Sequence, residues 1–200
     1  MRVSAVVLAA GRSSRMGANK LLLRIGGRTV LEHILDRLAD IETVVVTGHN
    51  PEEFKEILGR YAVTVVHNPD YEKGMTTSFQ TGLKALGCDA AFLVLGDTFG
   101  FSETLLKRMV DELKAHPEAQ LVSPVHEGRR GHPVLVRSTL FDEFQALGPG
   151  ETMRDVVDRH EEEHRYVEGD AWTVTDLDTP EDYETIKRLW KAGANRSSPG

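Results

Sequence analysis

The stretch "VSAVVLAAGRSSRMGANK", Val3 to Lys20, decides how the rest of the chain is read. Val3 to Ala9 is small or apolar throughout, without polar alternation. A strand buried on both faces looks like this, and such strands belong to parallel sheets. The run stops at Gly11, and three cations, Arg12, Arg15 and Lys20, lie within the next nine residues. In open parallel sheets ligands sit beyond the carboxyl ends of the strands. The loop after Ala10 therefore stands where a binding site belongs, and its local positive charge asks for an anionic ligand.

Further along, apolar runs alternate with helical patterns. Thr29 and Glu32 form a T-x-x-E capping box, and Val30, Leu31, Ile34, Leu35 and Leu38 follow at helical spacing to about Asp40. Thr43–Val46, Ala62–Val66, Ala90–Leu95 and the segment near Leu121 read as further strands, the last weakened by Pro124. Helices are expected from Asn50 with Pro51 in the first turn, over Met75–Leu86, and from Ser102 to about Ala115. Beyond "GHPVLVR" (Gly131–Arg137) the order loosens: short helices near Ser138 and Thr152, a last strand near Trp172, and a closing helix capped by Thr179. That closing helix carries an apolar stripe of Tyr183, Ile186, Leu189 and Trp190. The alternation predicts an α/β fold: a single Rossmann-like domain over residues 1–192, with a mostly parallel central sheet flanked by helices. Residues 193–200 read as a frayed tail.

The bulk numbers narrow the function. A chain of 200 residues with formal net charge -7 lacks the basic face of a general nucleic-acid binder, yet leaves room for a local cationic pocket. One cysteine, Cys88, permits no internal disulfide, which fits a reducing cytoplasm. No apolar run approaches the length of a membrane span. The opening "MRVSAVVLAAG" superficially resembles a signal peptide, but its short apolar run leads straight into the cationic loop and reads better as a buried strand.

Two familiar phosphate motifs fail at the first loop. A Walker loop has four residues between its glycines and a lysine directly after the second. Here five residues separate Gly11 from Gly17, and Ala18 follows. The pattern G-x-G-x-x-G is absent too. The remaining description is a loop of exposed amides and cations suited to phosphate oxygens or a base edge.

"LAAGRSSRMGANKLLL" resembles the opening motif of the MobA-like nucleotidyltransferases, which attach CMP or GMP to molybdopterin, and is more similar to the molybdenum cofactor cytidylyltransferases than to the guanylyltransferases among them. The resemblance extends through "NPDYEKGMTTSFQTGL" (Asn68–Leu83), Gly96–Asp97, "GHPVL" (Gly131–Leu135) and "DLDTPEDY" (Asp176–Tyr183). It implies the fold of the nucleotide-diphospho-sugar transferases. It also implies that Leu8, Ala9, Ala10 and Gly11 meet base and ribose through backbone groups, with Arg12 adding charge nearby. Arg15 and Lys20 would lie along the triphosphate, and Thr77, Ser78 and Gly82 would complete the base pocket. The family's guanine users carry Leu-Ala-Gly-Gly, so Ala10 favours a pyrimidine nucleotide, CTP.

Nucleotidyl transfer needs a divalent metal, usually Mg²⁺, held by one or two carboxylates and phosphate oxygens. Asp97, directly after the strand "AAFLVLG", is the first candidate ligand and Asp178 the second, with Asp176 nearby. A strand-end aspartate also serves as a loop cap, and Asp178 also suits the N-terminus of the helix after it. Lys20, Arg15 and Asp97 are the expected catalytic residues. Arg129, Arg130 and His132 in "GRRGHPV" are expected to face an anionic acceptor, although paired arginines in a turn also stand simply solvated. The family has proline two positions after its aspartate; Phe99 stands there instead and points to a different loop shape and acceptor pocket.

The implied activity moves a nucleotidyl group from CTP to molybdopterin or its molybdenum form and releases pyrophosphate, with a molybdoenzyme or its chaperone as a further partner. The same transfer to a sugar or polyol phosphate, or a non-catalytic nucleotide-binding module that delivers a cofactor, are the alternatives. One more motif, "HEEEH" at His160–His164, satisfies H-E-x-x-H. Its neighbourhood is charged on nearly all sides, with no apolar face to hold a zinc-site helix, so it reads as a helix end leading into a strand.

Overall fold

In the computed structural model, which describes residues 1–13 and 16–194, the opening run forms β1 (Val3–Ala9) and ends at the cationic loop. A turn at Lys20–Leu22 and a small hairpin, β2 (Arg24–Ile25) and β3 (Arg28–Thr29), lead into α1 (Val30–Arg37). The expected capping box starts α1: Glu32 N–H donates to Thr29 Oγ1 at 3.2 Å, and Thr29 N–H donates to Glu32 Oε2 at 2.7 Å. There follow β4 (Glu42–Thr47), α2 (Lys55–Leu58), β5 (Thr64–His67), α3 (Met75–Leu83), β6 (Ala90–Leu95) and α4 (Glu103–Ala115). Ser102 caps α4 by accepting the Leu105 N–H at 3.1 Å. The second half holds β7 (Leu121–His126), β8 (Arg129–Arg130), β9 (Val134–Arg137), α5 (Phe141–Ala146), α6 (Met153–Arg159), β10 (His164–Glu168) and α7 (Pro180–Ala194).

One eight-stranded sheet runs β10-β7-β9-β6-β1-β4-β5, with β8 paired to β7. β1 is parallel to both β4 and β6, as β5 is to β4 and β10 to β7; β9 runs antiparallel between β6 and β7. The mostly parallel α/β sheet predicted from β1 is thus present. Alternate residues of β1 enter opposite cores. Ala5, Val7 and Ala9 face the side that also buries α1 and α4, while Val6 and Leu8 join Phe79 of α3 and Phe144 of α5. Burial on both faces is why the strand reads as a continuous apolar run. Chain order reverses at β1, with β4 and β5 to one side and β6 to the other, so β1 and β6 flank the crevice where such sheets bind ligands.

Several expectations are corrected. Ala171–Val174 is a 3-10 turn, not the last strand: Asp170 Oδ1 accepts the Trp172 N–H at 3.0 Å, and the final strand is β10, paired to β7. Asn50 does not cap through its side chain. Its φ is +45°, its Nδ2 donates to Glu53 Oε1 at 3.2 Å, and the first turn is 3-10. α3 stops at Leu83. In α7, Ile186 is buried but Leu189 is 51% exposed, because the face against the core is set by Tyr183, Ile186 and Trp190 and position 189 falls off its edge. "GRRG" is not an open loop. Glu127 and Gly128, with φ of +49° and +75°, form the tight turn of a β7–β8 hairpin that places both arginines on a strand. The expected tail beyond Ala194 lies outside the described residues.

Candidate active site

β1 and β6 end side by side, Leu8 opposite Leu95. Beyond them opens a cavity of about 280 Å³ whose lining includes Leu8, Ala10, Gly11, Ser78, Asp97 and Asp178. Nothing lies within 4 Å of a Cβ built on Gly11, so packing does not demand glycine there and the space belongs to the cavity. At Gly96 a Cβ would stand 3.0 Å from the Leu8 carbonyl oxygen, so the two strand ends approach as only glycine permits.

The loop after β1 delivers Lys20 to this cavity. Ser13 Oγ accepts the Lys20 N–H at 3.1 Å, Asn19 Oδ1 accepts the Leu21 N–H at 3.2 Å, and Leu21 is buried in the core. With its backbone held, Lys20 donates from Nζ to Asp97 Oδ2 at 3.0 Å and to Asp178 Oδ1 at 3.1 Å. The backbone of both acidic segments is held by contacts that do not involve the lysine. The Leu177 N–H donates to the Asp97 carbonyl at 3.2 Å, tying the two acidic segments together. The Asp178 and Thr179 amides donate to Asp182 Oδ2 at 3.1 and 2.8 Å, and Thr179 Oγ1 caps α7 by accepting the Asp182 N–H at 3.2 Å. Burial, then the Asp97 and Asp178 charges, push the Asp176 carboxyl above its ordinary value.

The other expected nucleotide residues divide. Ser78 is buried in the lining, its hydroxyl accepting from Asn68 Nδ2 at 3.0 Å. Thr77 is not in the lining; its Oγ1 accepts from Asn68 Nδ2 and donates to the Gly74 carbonyl at 2.9 Å, closing the turn before α3. Gly82 is not a pocket residue. A Cβ there would meet Val6 Cγ1 at 2.3 Å, so glycine is required for α3 to lie against β1 and β4. The Ala9 side chain enters the core, and the Ala10 carbonyl accepts the His49 N–H at 3.1 Å. Arg12 turns away to ion-pair with Glu72 over the Tyr71 ring. Arg15 lies outside the described residues.

A second cavity of about 900 Å³ meets the first at Gly74, Met75 and Leu95. Leu93, Val134, Met153 and Val157 give it apolar walls. Arg129, Arg130 and His132 line it, with Arg130 Nη2 engaged by both Glu161 carboxylate oxygens at 2.7 Å. Arg129 donates to the Val174 carbonyl at 3.3 Å. Burial lowers the His132 pKa, and its Nδ1 has no partner among the described residues. The same holds for His164 Nδ1; burial, then Arg130, push that imidazole down to about 4, while its Nε2 pairs with Ser123 Oγ at 2.9 Å.

"HEEEH" does not form one helix face. α6 ends at Arg159, His160 sits between Glu143 and Glu163, and His164 opens β10. Phe99 does not shape either cavity. It is 3% exposed, with ring centroids 5.7 Å from His33 and 6.2 Å from both Trp172 and Trp190. It anchors the loop behind Asp97 to the core. Sequence reasoning missed Asn68, whose amide fixes Thr77 and Ser78, although the Asn-Pro turn signal at Asn68–Pro69 marked the place. It also missed Met75, 58% exposed at the junction of the cavities; an exposed methionine at a helix start gives no distinguishing local signal.

Comparison with known proteins bears on the family and the fold. Residues 5–164 match the MobA-like NTP transferase domain. The chain is 31% identical over 196 residues to the molybdenum cofactor cytidylyltransferase of Escherichia coli (strain K12), covering 94% of this chain and 97% of that one. Among solved structures it is similar to a nucleotidyl transferase from Methanothermobacter thermautotroptrophicus, with TM-score 0.81, 27% identity, and 96% and 99% of the two chains covered. It is also similar to Rv0371C of Mycobacterium tuberculosis H37Rv in complex with manganese, with TM-score 0.76, 25% identity, and 94% and 99% covered. A strand-end glycine loop, a lysine delivered onto two acids and a match across most of the sequence lead to one conclusion: the chain belongs to the MobA-like NTP transferase family and is a nucleotidyltransferase.

Proposed function

We propose that this enzyme transfers the cytidylyl group of CTP to the phosphate of molybdopterin, or of its molybdenum-bearing form, in the cytoplasm. An acceptor phosphate oxygen attacks the α-phosphorus, the bond to the β-phosphate oxygen breaks, and pyrophosphate leaves. The observation that carries this is Lys20 set against Asp97 and Asp178 in the lining of the smaller cavity, which meets the larger one at Gly74, Met75 and Leu95.

The smaller cavity takes the nucleotide. Ala10 beside Gly11 supports a pyrimidine there, and Lys20, the loop cation in the lining, supports its triphosphate. The larger cavity takes the acceptor. Its apolar walls and arginine edge suit a flat heterocyclic body ending in a phosphate, and its volume of about 900 Å³ exceeds what a small polyol phosphate needs. The residues fit a hard divalent cation, Mg²⁺: one oxygen each of Asp97 and Asp178 already converges on a single cation, Nζ of Lys20. When bound, that metal neutralises phosphate charge and orients the α-phosphorus. Lys20 stabilises the charge that grows on the α-phosphoryl oxygens. Holding both reactants in line supplies much of the remaining acceleration.

The test is pyrophosphate release from CTP, GTP or ATP with molybdopterin supplied. Release with CTP that requires the acceptor, and that falls at least about a hundredfold in Asp97→Asn, is expected. Preference for GTP, or turnover unchanged in Asp97→Asn, contradicts the proposal.

A further inference from the structure

Lys20 occupies the spot where the proposed metal belongs. Its Nζ lies 3.0 Å from Asp97 Oδ2 and 3.1 Å from Asp178 Oδ1, and the Lys20 and Asp97 side chains are each 20% exposed. An ammonium and a divalent cation cannot both hold these oxygens. Among the described residues, moreover, no group of three or more His, Cys, Asp or Glu side chains is placed to hold a metal ion. The protein therefore offers few ligands of its own, and those it offers are in use. A triphosphate changes both conditions. Its oxygens add hard ligands for the metal and give the ammonium another anion to pair with.

We infer that Lys20 is the resting counter-ion of the metal site and trades places with the metal: the divalent cation takes the Asp97 and Asp178 oxygens as the ammonium moves onto the phosphates of the incoming nucleotide. The inference rests on the proposed assignment of these two carboxylates to the metal. It makes metal and nucleotide binding mutually reinforcing, because each relieves the obstacle to the other, and by linkage the reinforcement is equal in both directions. It also gives Lys20 a role before chemistry, which a lysine serving only the transition state would not have. The anchored backbone leaves the side chain as the moving part: Ser13 and Asn19 hold the turn while Nζ swings.

The experiment is a Mn²⁺ titration of nucleotide-free protein, followed by electron paramagnetic resonance of the free ion. Lys20→Met removes the competitor and is expected to bind Mn²⁺ about tenfold more tightly than the unaltered protein. Lys20→Arg keeps a cation on the carboxylates and is expected to bind no more tightly. CTP affinity measured with and without Mn²⁺ should show strong mutual enhancement in the unaltered protein and reduced enhancement in Lys20→Met. Equal or weaker Mn²⁺ binding by Lys20→Met would overturn the exchange. Lys20→Gln repeats the test should the methionine variant not fold. Asp97→Asn, titrated with CTP present so that the ammonium is drawn off the carboxylates, separates the two ideas: if it then binds Mn²⁺ as the unaltered protein does, the metal assignment itself fails, whereas loss in Asp97→Asn without gain in Lys20→Met rejects the exchange alone.

Discussion

Phe99→Ala tests whether the core behind the active site holds Asp97 in place. The ring is 3% exposed and lies against His33, Trp172 and Trp190, which come from α1, the turn after β10, and α7. Truncation removes the transfer free energy of a buried ring and leaves a void that three large aromatic neighbours cannot easily fill. A loss of about 3–4 kcal/mol follows, which for a domain of this size lowers Tm by roughly 6–16 °C. Urea unfolding followed by tryptophan fluorescence is the direct assay, since both tryptophans of the chain contact Phe99. Asp97 is two residues away and its carbonyl accepts from Leu177, so loosening this loop should also weaken Mn²⁺ binding in the presence of CTP. Phe99→Leu, which keeps most of the volume, should cost less than about 1.5 kcal/mol and retain metal binding. A loss below about 1 kcal/mol in Phe99→Ala would show that the ring does not anchor the loop.

Gly82→Ala should destabilise by about 1–2 kcal/mol, because overpacking against Val6 and Val46 outweighs the gain in helix propensity; unaltered stability with weakened CTP binding would restore Gly82 to the pocket. Thr29→Ala removes the capping box of α1 and should cost about 1 kcal/mol in urea unfolding. His164 is held neutral in the folded state down to about pH 4, whereas the unfolded chain protonates near 6.5. The unfolded state therefore binds more protons in that window, and stability falls as pH drops from 6.5 towards 4, by up to about 3 kcal/mol. His164→Gln should flatten that part of the pH–Tm profile, and an unchanged slope would place the titration elsewhere.

Much of the fold was legible because its signals are local. A strand buried on both faces must be apolar at every position, so Val3–Ala9 announced a parallel sheet by itself. Thr29 with Glu32, Ser102 and Thr179 marked helix starts through the amides they satisfy. Lys20 and the aspartate after β6 were readable as candidates for one site because both follow strands whose carboxyl ends open on the same crevice. Misreadings came where tertiary contacts overrule local pattern. Trp172 has strand-like neighbours, yet Asp170 and the aromatic cluster draw its segment into a turn.

By its own pattern of apolar runs, caps and glycines, the sequence determined that this is an α/β chain with a cationic loop at a strand end. Only the tertiary structure decided that Lys20 pairs with acids 77 and 158 positions further on, that Gly82 serves packing, and that Phe99 is buried. The reason is that a local pattern constrains a residue's own backbone and one neighbouring face, while the partner of a charge or the volume available to a side chain depends on how distant elements come to lie against each other.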